Sequence, residues 1–132
     1  MSAYPYQAYK NASVQTSPAK LLIMLYDGLI RSIELGHLAI SEKRIEDVNK
    51  QLIKAQDIIR ELQSTLKMEF EISKSLSSLY DYFYRRLVEA NIQKDSKALD
   101  EILPMIKGLR ESWYQASLKV TNNGVGDFAS QL

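Results

Sequence analysis

Apolar residues recur along this chain at steps of three and four, in four separate stretches. With about 3.6 residues per helical turn, such steps line up along one side of an α-helix. The first stretch runs from about Pro18 to Ile40. It carries Leu22, Leu25, Leu29, Ile33 and Ile40 on one stripe, and Leu21, Met24, Leu35 and Leu38 on a neighbouring one. Its start is marked: Ser17 suits an N-cap, and Pro18 suits the first helical position, where an N–H would have no partner anyway. The second stretch alternates most cleanly, through Ile45, Val48, Leu52, Ala55, Ile59, Leu62 and Leu66. That is the repeat of helices packed nearly antiparallel. The third, from about Ile72 to Ile92, carries Ile72, Leu76, Leu79, Phe83, Leu87 and Ala90. A polar break follows from Asn91 to Ser96, with Asp95 or Ser96 as the next N-cap. The fourth stretch carries Leu99, Ile102, Ile106, Leu109, Trp113, Ala116 and Val120. Pro104 lies inside it, removes one backbone hydrogen bond and is expected to bend the helix. Asn122-Asn123-Gly124 ends it.

Four amphipathic helices joined by short polar links predict an all-α protein, an antiparallel up-down-up-down four-helix bundle. Residues 1–15 are polar apart from Tyr4, Tyr6, Tyr9, Ala12 and Val14 and show no helical period. They read as an extended N-terminal arm, residues 16–120 as the bundle, and residues 121–132 as a flexible C-terminal tail. The opening turns of the first helix, Leu21 to Tyr26, are apolar all round. One buried face cannot account for that, so a second apolar surface is expected to meet something that can leave. Apolar residues off the strict stripes are its candidates: Leu21, Met24, Ile53, Ile58, Leu103, Tyr114 and Leu118. A wide core would absorb some of them. Tyr6 and Tyr9 either dock on their own bundle or reach for a partner.

Composition removes several kinds of chemistry. The chain has 132 residues, enough for one core, and a net charge of +1, so nothing pulls it generally toward nucleic acid or anionic lipid. Cysteine is absent, which excludes disulfides and thiolate metal sites and fits a reducing cytoplasm. No apolar run approaches the roughly 20 residues a membrane-spanning helix needs, and residues 1–10 do not read as a secretory signal. Glu34 and His37 have the Glu-x-x-His spacing of di-iron bundles, but that site needs a second such motif and His37 is the sole histidine. His37 near a helix C-terminus, where positive charge is favoured, is the simpler reading. Phosphotransfer or nucleophilic catalysis would have to use the same residue. Asn123-Gly124-Val125-Gly126 follows a helix rather than a strand and does not read as a phosphate loop. Glu69 and Glu71 read as a solvated helix end, and Arg85-Arg86 as exposed helix arginines or an anchor for a carboxylate. Tyr80, Tyr82 and Tyr84 point in different directions, so at least one leaves the core. Trp113 falls on the stripe and reads as core.

Several of these segments together resemble the flagellar secretion chaperone FliS family. They are Ala8-Tyr9, Val14 and Thr16-Ser17-Pro18-Ala19-Lys20-Leu21-Leu22-Ile23-Met24-Leu25-Tyr26-Asp27-Gly28 at the start, then Ile53 to Leu62. Leu79-Tyr80-Asp81-Tyr82, Arg86 to Asn91, Asp95 and Leu109-Arg110-Glu111-Ser112-Trp113 complete the set. The resemblance spans about residues 6 to 116, and its specificity lies in the order and spacing of the elements. It implies a cytoplasmic export chaperone without cofactor or catalysis. Such a chaperone binds the C-terminal segment of flagellin, prevents premature polymerisation and assists delivery to the flagellar export gate. The partner segment becomes largely helical as it wraps the bundle. The resemblance also implies that the arm can lie across part of the same groove, and that residues matching Tyr6 and Tyr9 dock at a gate protein. From the residues alone, a helical adaptor or signalling module binding another helix would share every groove feature. A small helical-bundle enzyme using carboxylates and arginines lacks a convergent polar cluster in the core stripes.

Overall fold

The computed structural model describes residues 17–121. Four helices fill most of that span: α1 Pro18–Ser41, α2 Ile45–Ser64, α3 Glu71–Gln93 and α4 Lys97–Thr121. Side-chain caps mark the starts of α1 and α4. The Ser17 hydroxyl accepts the Lys20 N–H at 3.2 Å, with Pro18 opening the first turn of α1. The Asp95 carboxylate accepts the Lys97 N–H at 3.0 Å, and the Ser96 carbonyl accepts that of Asp100 at 2.8 Å, so both expected capping residues act at α4. Lys94 ends α3 in the left-handed conformation (φ 54°), as does Lys43 (φ 58°) in the turn after α1.

The helices form a ring. α1 packs on α2 and α4, α3 packs on α2 and α4, and the backbones of the two diagonal pairs stay apart. Cross-helix pairs give the directions. Glu34 meets Lys107 at 3.1 Å and Asp27 meets Arg110 at 2.9 Å, so α1 and α4 run antiparallel. Asn49 with Asn91, at 2.8 Å, and Arg60 with Asp81, at 3.1 Å, do the same for α2 and α3. This is the expected up-down-up-down bundle. One end gathers the start of α1, the end of α2, the start of α3 and the end of α4.

The core follows the stripes. Leu25, Leu29, Ile33, Val48, Leu52, Ile59, Leu62, Phe83, Leu87, Leu99, Ile102 and Ile106 are fully enclosed. Each such burial contributes roughly 1.5–3 kcal/mol before entropy is counted. Two expected stripe residues are not core: Ile45 and Ile72 are exposed. Both lie in the opening turn of a helix, and helical side chains lean toward the N-terminus, so theirs project off the bundle end. Leu66 lies past the end of α2 and packs on the core from the turn. The Val120 side chain, expected on the α4 stripe, lies outside the described residues.

The core also holds a polar chain that spans the ring. The Tyr26 and Tyr80 hydroxyls meet at 2.6 Å, and the Trp113 indole N–H donates to the Tyr26 oxygen at 3.2 Å. The two tyrosines, on α1 and α3, hydrogen-bond across one diagonal of the ring. Burial raises the pKa of both hydroxyls above the ordinary 10.0, outweighing the hydrogen bonds that Tyr26 receives. Tyr82 and Tyr84 sit at the edge. The Tyr82 hydroxyl donates to Glu101, and the Arg60 guanidinium lies 3.7 Å over the Tyr84 ring.

Two glycines on helices have opposite surroundings. A Cβ on Gly36 would stand 2.6 Å from Leu52 Cδ2 and 3.2 Å from its Cγ, where α1 and α2 approach closely. A Cβ on Gly108 would meet nothing within 4 Å. Gly108→Ala should therefore raise the unfolding free energy by about 0.5–1 kcal/mol. Gly36→Ala should lower it by about 1 kcal/mol, because overpacking at about 1–3 kcal/mol exceeds the helix-propensity gain. Urea unfolding of both variants checks the pair.

A second expectation concerns alkaline pH. The folded tyrosines stay protonated above pH 10.0, where those of the unfolded chain ionise, so stability is fully present below that pH and is lost as pH rises beyond it. Each buried hydroxyl adds up to about 1.4 kcal/mol per pH unit to that slope. Urea midpoints measured from about pH 9 to about pH 11 should fall more steeply for the native chain than for Tyr80→Phe. Equal slopes would show that these hydroxyls are not shielded.

Candidate functional site

The opening of α1 and the last turns of α4 stand side by side and do not close on each other. On α1, Leu22, Leu25, Tyr26 and Leu29 take the core, which leaves Ile23 and Met24 half-buried beside it. On α4, Trp113 turns inward and Tyr114 outward, with 39% of its surface exposed. Between them lies a cleft of about 610 Å³. Its α1 wall is Ala19, Lys20, Ile23, Met24 and Asp27, with Ser17 at the mouth; Tyr114 and Ser117 form the α4 wall. A partly pre-formed apolar trough between helices is a common place for a ligand or a partner helix.

The polar groups of the cleft have distinct states. Arg110 grips Asp27 with two bonds, Nε to Oδ1 at 2.9 Å and Nη2 to Oδ2 at 3.3 Å. The Asp27 carboxylate holds the Arg110 pKa above its ordinary value. The same guanidinium lies 5.2 Å from the centre of the Tyr114 ring and so helps to set that ring's orientation. Lys20, at the other end of the α1 wall, has no side-chain partner among the described residues.

The remaining chemical candidates are absorbed into the frame. His37 Nε2 meets Asp100 Oδ1 at 2.8 Å while Glu34 pairs with Lys107, so the two halves of the Glu-x-x-His motif tie α1 to α4 separately. Arg86 bonds Glu101 at 2.8 Å and Glu89 at 2.7 Å, and is already engaged. The Tyr82 hydrogen bond, then that of Arg86, holds the Glu101 carboxyl below its usual range. Among the described residues no cluster of His, Asp and Glu could hold a metal ion, and no helix is long and apolar enough to cross a membrane.

A family model for flagellar protein FliS matches residues 2–120. The chain belongs to the FliS family. Flagellar secretion chaperone FliS of Bacillus subtilis is 43% identical over 128 residues, covering 95% of this chain and 96% of the relative. The same-named protein of Vibrio cholerae is 35% identical over 116 residues, covering 83% and 85%. That of Salmonella typhimurium is 32% identical over 124 residues, covering 92% of each.

The partner-facing residues expected in this FliS-family chain divide into five groups. Met24 and Tyr114 line the cleft. Leu118, 48% exposed, follows one turn beyond Tyr114, and Leu21 is half-buried on α1 outside the cleft lining. Leu103 is partly buried against the core three turns before Tyr114, and Ile53 is exposed on α2, whose backbone stays apart from that of α4. Ile58, expected as a groove residue, is 0% exposed: it neighbours the stripe residue Ile59 and joins the core cluster, so the buried arc of α2 extends past the strict stripe. Tyr6, Tyr9 and Val14 lie outside the described residues. The sequence pattern missed Ile23, Lys20, Asp27 and Ser117. Lys20, Asp27 and Ser117 are polar and invisible to a search for surplus apolar residues. The three-and-four spacing of Lys20, Ile23, Met24 and Asp27 was the available signal.

Proposed function

We propose that this chain is a cytoplasmic export chaperone that receives the C-terminal segment of flagellin in the cleft between α1 and α4. Bound there, the segment is kept from premature polymerisation, and the complex is delivered to the flagellar export gate. The observation that carries the reading is the open apolar cleft lined by Ile23, Met24 and Tyr114 in a chain of this family. Its relatives bear the name flagellar secretion chaperone. A helical segment laid in the cleft would press apolar anchors at three-and-four spacing against the α1 and α4 walls. Beyond the cleft, the exposed Leu118 and the connector residues Met68 and Phe70 belong to the same end of the bundle, within reach of an extended partner. The role is one of binding and release, not catalysis.

Co-purification with flagellin, and with flagellin lacking its last helical segment, tests the reading. The complex should form with the first and be lost with the second; survival after truncation would move the site elsewhere. Tyr114→Ala, at an exposed position, should leave the fold intact and weaken flagellin binding about tenfold.

The arm carrying Tyr6, Tyr9 and Val14 is proposed to shield the cleft when cargo is absent, and Tyr6 and Tyr9 to contact a protein of the export gate. With the cleft open about 1% of the time, apparent affinity would fall about 100-fold. Removing residues 1–15 should then tighten flagellin binding in a calorimetric titration. Unchanged or weaker binding would reject the shield.

A further inference from the structure

Cleft charge is unbalanced. Asp27 is neutralised by the two-bond grip of Arg110, which itself lies against Tyr114. Lys20 lines the same cleft, is exposed and has no side-chain partner among the described residues. The first turn of α1 contains no acidic residue that could offset it. Any apolar segment that fills this trough will cover part of the Lys20 stem and lower the dielectric around its ammonium, making an uncompensated charge there unfavourable.

We infer that Lys20 selects the occupant: the docked flagellin helix carries a carboxylate, from an Asp or Glu beside its apolar anchors, that pairs with the Lys20 ammonium. The inference rests on the proposed function and specifies the chemistry of the partner at that cleft. The sequence supplies a reason why such a pair is useful. Residues 1–16 contain no Asp or Glu, and Lys10 is their one charged side chain. The arm can offer tyrosines and a valine to the apolar walls and no carboxylate to Lys20. Cargo and arm would then differ in one interaction that only cargo makes, and the ion pair favours exchange of the arm for cargo. An interaction of this kind at the rim acts mainly on encounter and specificity, and salt screens it.

The test is titration of full-length flagellin monomer into the native chain, Lys20→Met, Lys20→Glu and Met24→Gln, at about 0.05 M and about 1 M salt. At low salt, Lys20→Met should weaken binding about threefold and Lys20→Glu about tenfold, and both losses should largely vanish at high salt. Loss of fold is not a confounder for the reversal, because a glutamate in the first turn of a helix favours the helix; thermal melts of each variant verify this. Lys20→Glu binding flagellin like the native chain at low salt would overturn the inference, as would a loss that persists unchanged at high salt, since that would make Lys20 a packing residue. Met24→Gln separates the two levels. It should weaken binding at both salt concentrations. If it binds like the native chain, the cleft is not the flagellin site and the underlying reading fails with the inference. If Met24→Gln weakens binding and Lys20→Glu does not, the cleft stands and the charge pairing alone is wrong.

Discussion

The hydrogen-bonded meeting of Tyr26, Tyr80 and Trp113 is the constraint on which the cleft depends. In a ring of four helices the diagonal backbones do not touch, so only large side chains can brace one diagonal pair. Here a pair of tyrosines does so, and the indole of α4 ties in as a third partner. These buried polar atoms have to satisfy one another, since each unpaired group would cost about 1–3 kcal/mol. That requirement fixes the rotation of α1 and α4 about their own axes. The residues next in sequence to two of its members, Asp27 after Tyr26 and Tyr114 after Trp113, are cleft residues. The brace behind the cleft thus determines which side chains stand in front of it.

Spacing between helices follows a complementary rule. At Gly36 the missing side chain lets α1 approach Leu52 of α2 closely. Along the α1–α4 seam the connections are instead long polar side chains: His37 to Asp100, Glu34 to Lys107 and Asp27 to Arg110. Tyr26 and Trp113 fill the interior behind that seam. α1 packs more closely on α2 than on α4. The unequal seams leave room for an apolar trough at the α1–α4 side, where α1 carries its surplus of apolar residues.

Much of the bundle was legible in residue order because helix packing is periodic. Leu22, Leu25, Leu29 and Ile33, or Leu99, Ile102 and Ile106, need only the three-and-four rule to be placed in the core. Where that rule failed, a three-dimensional cause is visible. Ile58 is sealed because the buried arc of α2 is wider than the strict stripe, while Ile45 and Ile72 escape because they open their helices. The Tyr26–Tyr80 bond joins residues 54 apart in sequence, and no local pattern signals such a pair. The cleft was half legible. Met24 and Tyr114 stood out as apolar residues off the stripes, whereas Lys20 and Asp27 acquire meaning only when their partners are known. Asp27 is compensated and Lys20 is not, a distinction that resides in the position of Arg110 rather than in either residue type.

Binding a disordered segment sets a lower bound on the contact surface. Ordering the segment costs about 2–5 kcal/mol or more, and association adds at least about 4 kcal/mol. At roughly 25 cal/mol per Å² of apolar area, offsetting about 10 kcal/mol needs about 400 Å² before any net affinity appears. Two turns of α1 facing Tyr114 and Ser117 supply part of this, and a partner confined to the cleft would be held weakly. An extended partner that continues over Leu118 toward Met68 and Phe70 gathers the remainder from surface the bundle already exposes. On the proposed function, distributing the apolar contacts around one end of the bundle would favour a client that wraps over partners that do not.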